Sequence, residues 1–202
     1  MIDVRRGDEL GELYRARIAA VFVRGFAEDF SSFSKDSERL AEAFAHMLVL
    51  EHWRVALVDG HPAAVACFSE GAQEVLAPRW APMRRALGLL RGTFTYLIVR
   101  TQFVGASADS RPGLGEIGFV ATDPAFRGRG AAKTLMRRIL AREDSEDFVV
   151  LEIKDTNEAA LGLYRGVGFV ELRRRPARFA GRAGFREYVD MKLAPLGGPY
   201  SE

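Results

Sequence analysis

Between positions 116 and 172 the chain alternates in a way that few architectures accommodate. Residues 148–153 form a nearly continuous apolar run, interrupted only by Glu152. Such a run has no polar face, so it predicts a strand buried on both sides. Helical patterns flank it. Ala132, Leu135, Met136, Ile139 and Leu140 share one face of a helix over 130–142. A short helix is predicted over 157–165, and strands over 116–122 and 168–172. Strand, helix, strand, helix, strand is the pattern of an α/β layer structure.

The first half is less regular. Residues 2–5 suit a short strand, and Asp8 a helix N-cap. Leu10, Leu13, Tyr14, Ile18, Val21 and Phe22 then recur at helical spacing over 8–24. Residues 31–37 read as a loop ending in capping residues. Leu40, Ala43, Phe44, Met47 and Leu48 predict a second helix. Strands over 53–58 and 63–68 flank Asp59-Gly60, a hairpin turn. The last strand, 186–193, alternates Val189, Met191 and Leu193 with polar residues. Segment 72–112 carries one expected helix near 81–91. Within it, 93–104 fits a strand by Thr93, Thr95, Ile98 and Val99 but a helix by length. We read 1–194 as a single domain, 72–112 as a variable insertion and 195–202 as a flexible tail.

Composition narrows the function classes. At 202 residues, 48% hydrophobic and 28% charged, the chain can bury a sizeable core. A net charge of +2 provides no overall field for nucleic acid. No run of about 18 apolar residues exists to span a membrane. Cys67 is the only cysteine, which excludes an intrachain disulfide and agrees with a reducing cytosol. Residues 1–6 lack the apolar stretch of a signal peptide. The expectation is a cytoplasmic protein without nucleic-acid or membrane partners, monomeric or homodimeric.

Two motif matches fail on context. Gly113, Gly115 and Gly118 have the G-x-G-x-x-G spacing of a dinucleotide site, but that motif needs a strand before it and a helix after it. Here a polar segment precedes and a strand follows. Ala132-Lys133-Thr134 resembles the end of a P-loop, yet the glycine before the lysine is missing and Arg127 replaces the first one.

The informative stretch is Arg127-Gly128-Arg129-Gly130-Ala131-Ala132, between a strand and a well-formed helix. The first turn of a helix presents unpaired amides and a partial positive charge. Small residues let a phosphate approach those amides, and two arginines add cationic donors. The stretch suits a diphosphate.

Arg127, Gly130 and Ala132 resemble the R/Q-x-x-G-x-G/A signature of the Gcn5-related N-acetyltransferase superfamily. Asn157, Ala160, Leu163, Tyr164, Gly168 and Phe169 resemble its N-x-x-A-x-x-L-Y-x-x-x-G-F pattern. The resemblance covers about 114–193; the first half agrees only in the order of its elements. It implies an α/β (α+β) fold, with a mixed, mostly antiparallel sheet splayed at the cofactor strand and helices on both faces. It implies acetyl-CoA as acyl donor, its pyrophosphate held by the amides of Arg127–Ala132 and a further contact from Asn157. It also implies that the backbone at Val120, Ala121 and Thr122 pairs with the pantetheine arm, past a bulge, and polarises the thioester. Tyr164 would stand near the departing sulfur, although a core role explains its spacing equally.

Acetyl transfer needs an unprotonated amine, and an alkylamine has a pKa of about 10.4. A carboxylate acting through water can take the proton. Glu116 opens the cofactor strand and resembles the base of histone-type members; Asp109, Glu152 and Glu171 are weaker candidates. His46, His52 and His61 have no metal-ligand spacing, so no metal is expected. Cys67, in an apolar strand, reads as core. Arg173, Arg174, Arg175 and Arg178 form a basic cluster, read as a solvated loop or a contact for an acidic group. The acceptor is read first as a small-molecule amine. A protein or peptide amine, or a non-catalytic acyl-CoA-binding role, is the alternative.

Overall fold

The computed structural model describes residues 1–105, 109–177 and 184–195. Arg178, and the tail beyond 195, lie outside the described residues. Seven strands make one sheet: β1 (Ile2–Arg6), β2 (Trp53–Val58), β3 (His61–Glu70), β4 (Leu114–Thr122), β5 (Asp147–Lys154), β6 (Phe169–Pro176) and β7 (Glu187–Leu193). Their spatial order is β1-β2-β3-β4-β5-β7-β6. Every pair is antiparallel except β4 with β5.

The helices are α1 (Gly7–Leu10), α2 (Glu12–Gly25), α3 (Ser37–Ala45), α4 (Trp80–Leu87), α5 (Leu89–Gln102), α6 (Ala131–Arg142) and α7 (Glu158–Arg165). The single helix expected over 8–24 is broken at Gly11, where φ is 75°. Asp8 is not the cap; it lies inside α1 and pairs with Arg6 at 2.6 Å. Asp36 caps α3, accepting from the amides of Glu38 and Arg39 at 3.1 and 3.0 Å.

Segment 93–104 resolves as helix. A Cβ at Gly92 would stand 2.6 Å from the Arg84 Cα, so only glycine lets α5 cross α4 this closely. The crossing buries Met83, Leu87, Thr95 and Val99, and that packing overrides the strand preference of the β-branched residues.

Helices cover both faces of the sheet. On one face α2, α3, α4 and α5 enclose an aromatic core centred on Phe22. Its ring lies 5.1–6.2 Å from those of Phe26, Phe30, Phe44, Trp53 and Phe119. On the other face α6 and α7 bury Leu135, Met136, Ile139 and Leu161 against Ala64, Ile117, Val150 and Val189. The alternation along β3 divides its residues between these cores: Val65 and Cys67 go to the first, Ala64, Ala66 and Phe68 to the second.

Candidate active site

The site begins where the sheet comes apart. The strands β4 and β5 pair only over Leu114–Glu116 with Asp147–Val149. Beyond Glu116 the second half of β4 has a partner on one side only, β3. Ala121 and Thr122 pair there with Val65 and Ala64. The backbone groups facing β5 are left for another extended chain. A bulge accompanies the opening. Three steps along β4, from Gly118 to Ala121, match two along β3, from Cys67 to Val65. At the bulge Phe119 adopts φ 47°, left-handed backbone that a bulky residue tolerates only under compensation. That compensation is aromatic packing: Phe119 stacks on Trp53 at 6.3 Å and meets Phe22 at 5.2 Å.

A second bulge faces it across the gap. Glu152 in β5 has φ 58°, and its amide donates to the Asp190 carboxylate at 2.8 Å. Asp190 is fully buried and also accepts from Arg173 at 2.8 Å and Arg175 at 3.1 Å. Burial raises its carboxyl pKa, but Arg175, the Glu152 amide and Arg173 outweigh that and hold it below the ordinary range. Both lips of the gap therefore carry strained backbone secured by buried side chains.

The glycine-rich turn before α6 lies at the end of β4. Asp123 is buried and ties the strand exit down in three directions. Its amide donates to Ala63 at 2.9 Å, its Oδ1 accepts from Ala125 at 3.0 Å, and its Oδ2 accepts from Arg24 Nη2 at 2.6 Å. The chain then rises through exposed Arg127, Gly128, Arg129 and Gly130. Gly128 and Gly130 have φ of 74° and 76°, and a Cβ on either would meet nothing within 4 Å, so the space above them is open. Gly130 is the N-cap of α6 and offers no side-chain cap, which leaves first-turn amides to solvent or a ligand. Ala131 is buried and anchors that turn in the core, whereas Ala132 is half-buried. The Arg129 guanidinium lies 5.4 Å over the Phe126 ring. Asn157 caps α7, its Oδ1 accepting from Ala160 at 3.1 Å. Its Nδ2 remains to donate.

The two titratable candidates lie on different elements, Glu116 on β4 and Tyr164 on α7. Glu116 is half-buried on the last paired step of β4, opposite Ser69 of β3 and Val149 of β5. It shares the first-core face with Cys67. Burial, and then the Glu116 carboxylate, push the Cys67 thiol up to about 12, so Cys67 is a core residue and no nucleophile. Tyr164 is 5% exposed, on α7 against Phe169. Burial, with a smaller contribution from Cys67, raises its phenol well above the ordinary value. The hydroxyl makes no protein hydrogen bond among the described residues. It is not sealed off either, because Thr95 Oγ1 is the one buried side-chain polar atom there without a partner.

Three further carboxylates pair with arginines. Asp109 pairs with Arg173, Glu152 with Arg175 at 3.5 Å and Glu171 with Arg174 at 2.7 Å. The basic cluster is accordingly neither a loop nor unpaired: Arg173, Arg174 and Arg175 lie in β6, each bound to two carboxylates. Sequence reasoning missed Arg24, Phe119 and Asp190. Only the isolated acid between Val189 and Met191 was a signal, a charge in a strand otherwise read as half-buried. Among the described residues no group of three or more His, Cys, Asp or Glu is placed to hold a metal. No helix there is long and apolar enough to cross a membrane.

A mixed sheet that opens between its two parallel strands, with an uncapped helix beside the opening, defines a fold class built around an extended, anion-ended ligand. The chain belongs to the acetyltransferase (GNAT) family, whose model matches residues 19–169. It is 44% identical over 73 residues to N-alpha-acetyltransferase RimI of Mycobacterium tuberculosis, a match covering 33% of this chain and 42% of that protein. The chain thus spans less than half the length of this curated relative. An N-acetyltransferase from Staphylococcus aureus Mu50 shares the fold with a TM-score of 0.64 at 16% identity, over 95% of this chain and 100% of that one. The structure of yncA from Salmonella typhimurium with its cofactor acetyl-CoA aligns at a TM-score of 0.59 and 16% identity, over 99% and 96%.

Proposed function

We propose that the chain transfers an acetyl group from acetyl-CoA to the α-amine of a protein or peptide. The observation that carries the donor half is the juxtaposition of an unpaired β4 edge with the uncapped first turn of α6. The amides of Arg127–Ala132 would hold the diphosphate, with Asn157 Nδ2 as a further donor, and the edge at Val120–Thr122 the pantetheine arm. The open space over Gly128 and Gly130 fits such a group. When bound, acetyl-CoA supplies an acetyl thioester.

This chain's own residues do the rest. Glu116 removes a proton from the incoming ammonium, through water. A backbone amide of the β4 edge polarises the carbonyl. Tyr164 donates a hydrogen bond to the leaving sulfur. Burial fixes the proton on its oxygen more firmly than in a free phenol, and a thiol is the stronger acid. Full proton transfer from Tyr164 is therefore uphill, and stabilisation of the thiolate by the hydrogen bond is its contribution.

The similarity to RimI favours a protein α-amine over the small-molecule amine that heads the sequence reading. Titration calorimetry with acetyl-CoA tests the donor: wild type binds, and Gly130→Glu, which puts bulk and negative charge on the turn, does not. A thiol-release assay with N-terminal peptides, the same peptides with a blocked α-amine, and a polyamine tests the acceptor. Turnover of the polyamine alone would return the assignment to small molecules. Failure of wild type to bind acetyl-CoA would remove the donor assignment altogether.

A further inference from the structure

A cavity that acetyl transfer leaves unused lies at the far end of α6. It encloses about 180 Å³ between β1, β2 and the last turns of that helix. Its wall carries Arg5, Arg6, Arg54, Arg138 and Arg142, against one acid, Glu143. The donor turn is at the opposite end of the helix, twelve residues away, or about 18 Å at 1.5 Å per residue.

Arg54 forms the floor and is only 8% exposed. Its Nε donates to Glu143 at 2.6 Å and its Nη1 to the Glu51 carbonyl at 2.7 Å. Its guanidinium lies 5.7 Å over the Phe68 ring. Its Nη2 has no acceptor among the described residues, yet is not among the sealed, unpartnered atoms, so it opens on the cavity. Arg138 and Arg142 stand one turn apart on the lip, and neither has a carboxylate partner among the described residues. Arg5 and Arg6 face them from β1, held by Asp3 at 2.9 Å and Asp8 at 2.6 Å. Glu9 adds a further negative charge near Arg6, so four carboxylates answer five guanidiniums. The helix dipole accounts for a cation in the last turn of α6, where Arg142 sits, but not for those on β1 and β2.

We propose that this cavity is a binding site for a phosphate group, free or carried by a small metabolite. Guanidinium forks match phosphate oxygens in pairs, and the open Nη2 of Arg54 supplies a pre-oriented donor in a partly dry floor. Like charges gathered around a concave site repel one another until an anion joins them. The volume equals about six waters at ~30 Å³ each, room for one phosphate and a short organic stem. A nucleic-acid backbone would call for an extended basic stripe instead.

The test is calorimetric titration of the full chain with inorganic phosphate and, separately, glycerol 3-phosphate, at constant ionic strength. Wild type and Gly130→Glu should bind alike, because the donor turn is not involved. The double variant R138Q/R142Q, altered only at exposed positions, should bind weaker by about tenfold or more. Tighter binding of the ester than of the free ion identifies a metabolite as the ligand; equal binding identifies phosphate itself. No saturable binding by wild type, undiminished binding by R138Q/R142Q, or loss of binding in Gly130→Glu alone would each overturn the proposal.

Discussion

Two hydroxyls separate the demands of function from those of stability. Tyr164 carries one that bonds to no protein group among the described residues and is not sealed off, and it is the hydroxyl assigned to the leaving sulfur. Tyr164→Phe keeps the ring against Phe169 and removes only that oxygen. Turnover is expected to fall about 100-fold or more, the range for loss of one hydrogen-bond donor to developing negative charge, with stability changed by less than about 0.5 kcal/mol. Equal loss of activity and of thermal midpoint would make Tyr164 a packing residue only. Thr95 carries the other hydroxyl, fully buried and without a partner among the described residues. Thr95→Val removes the unsatisfied oxygen at nearly constant shape, so denaturant unfolding should show a gain of about 1 kcal/mol with activity unchanged. A destabilised variant would mean that the hydroxyl is satisfied in solution.

At the scale of elements, the α4–α5 pair is joined to the rest of the fold through a titratable group. His46, at the end of α3, uses both ring nitrogens: Nδ1 donates to the Ala43 carbonyl at 2.8 Å, and Nε2 accepts from the Arg79 amide, just before α4, at 2.9 Å. Burial, aided by the charges of Arg79 and Arg15, holds its pKa below the ordinary 6.5. The native state therefore binds fewer protons than the unfolded chain once pH drops below about 6.5. The contribution is complete above that value and is lost as pH falls toward the native pKa. Wild type should lose up to about 1 kcal/mol more than His46→Asn between pH 7.5 and 5.5, read from denaturant midpoints. Identical losses would show that His46 does not carry the effect. This joint was not legible in advance. Nothing local announces that a backbone amide 33 positions on will seek the His46 ring. The elements of 116–172 were legible because period and turn chemistry agree there, from the apolar 148–153 to Asp123-Pro124 and the glycines before α6. In 93–104 they disagree, and the crossing at Gly92 decides. The glycine-rich turn into α6 could be read from residue types alone, whereas Arg24 and Asp190 act through partners that only the topology supplies.

For the whole molecule, the sheet is two blocks joined by a three-residue parallel ladder and by the second core under α6 and α7. On one side β1 to β4 rest on the aromatic core; on the other β5, β7 and β6 are held by Asp190. Pairs such as Lys154 with Asp29 and Arg173 with Asp109 cross between them, but these are half-exposed and worth little individually. A ligand lying along the open β4 edge and ending on α6 would add contacts between the blocks where the ladder stops. At 100 times its dissociation constant, acetyl-CoA should stabilise the fold by about 2.7 kcal/mol, or roughly 5–10 °C for a chain of this size. Hydrogen exchange locates the effect. The free first-turn amides of α6 and those of Val120–Thr122 that face β5 should exchange quickly without ligand and slow on saturation. The ladder at Leu114–Glu116, already bonded on both sides, should remain slow in both states. Protection that spreads evenly over the chain, sparing neither region, would mean that the ligand binds away from the gap, and the strained backbone at Phe119 and Glu152 would need another explanation.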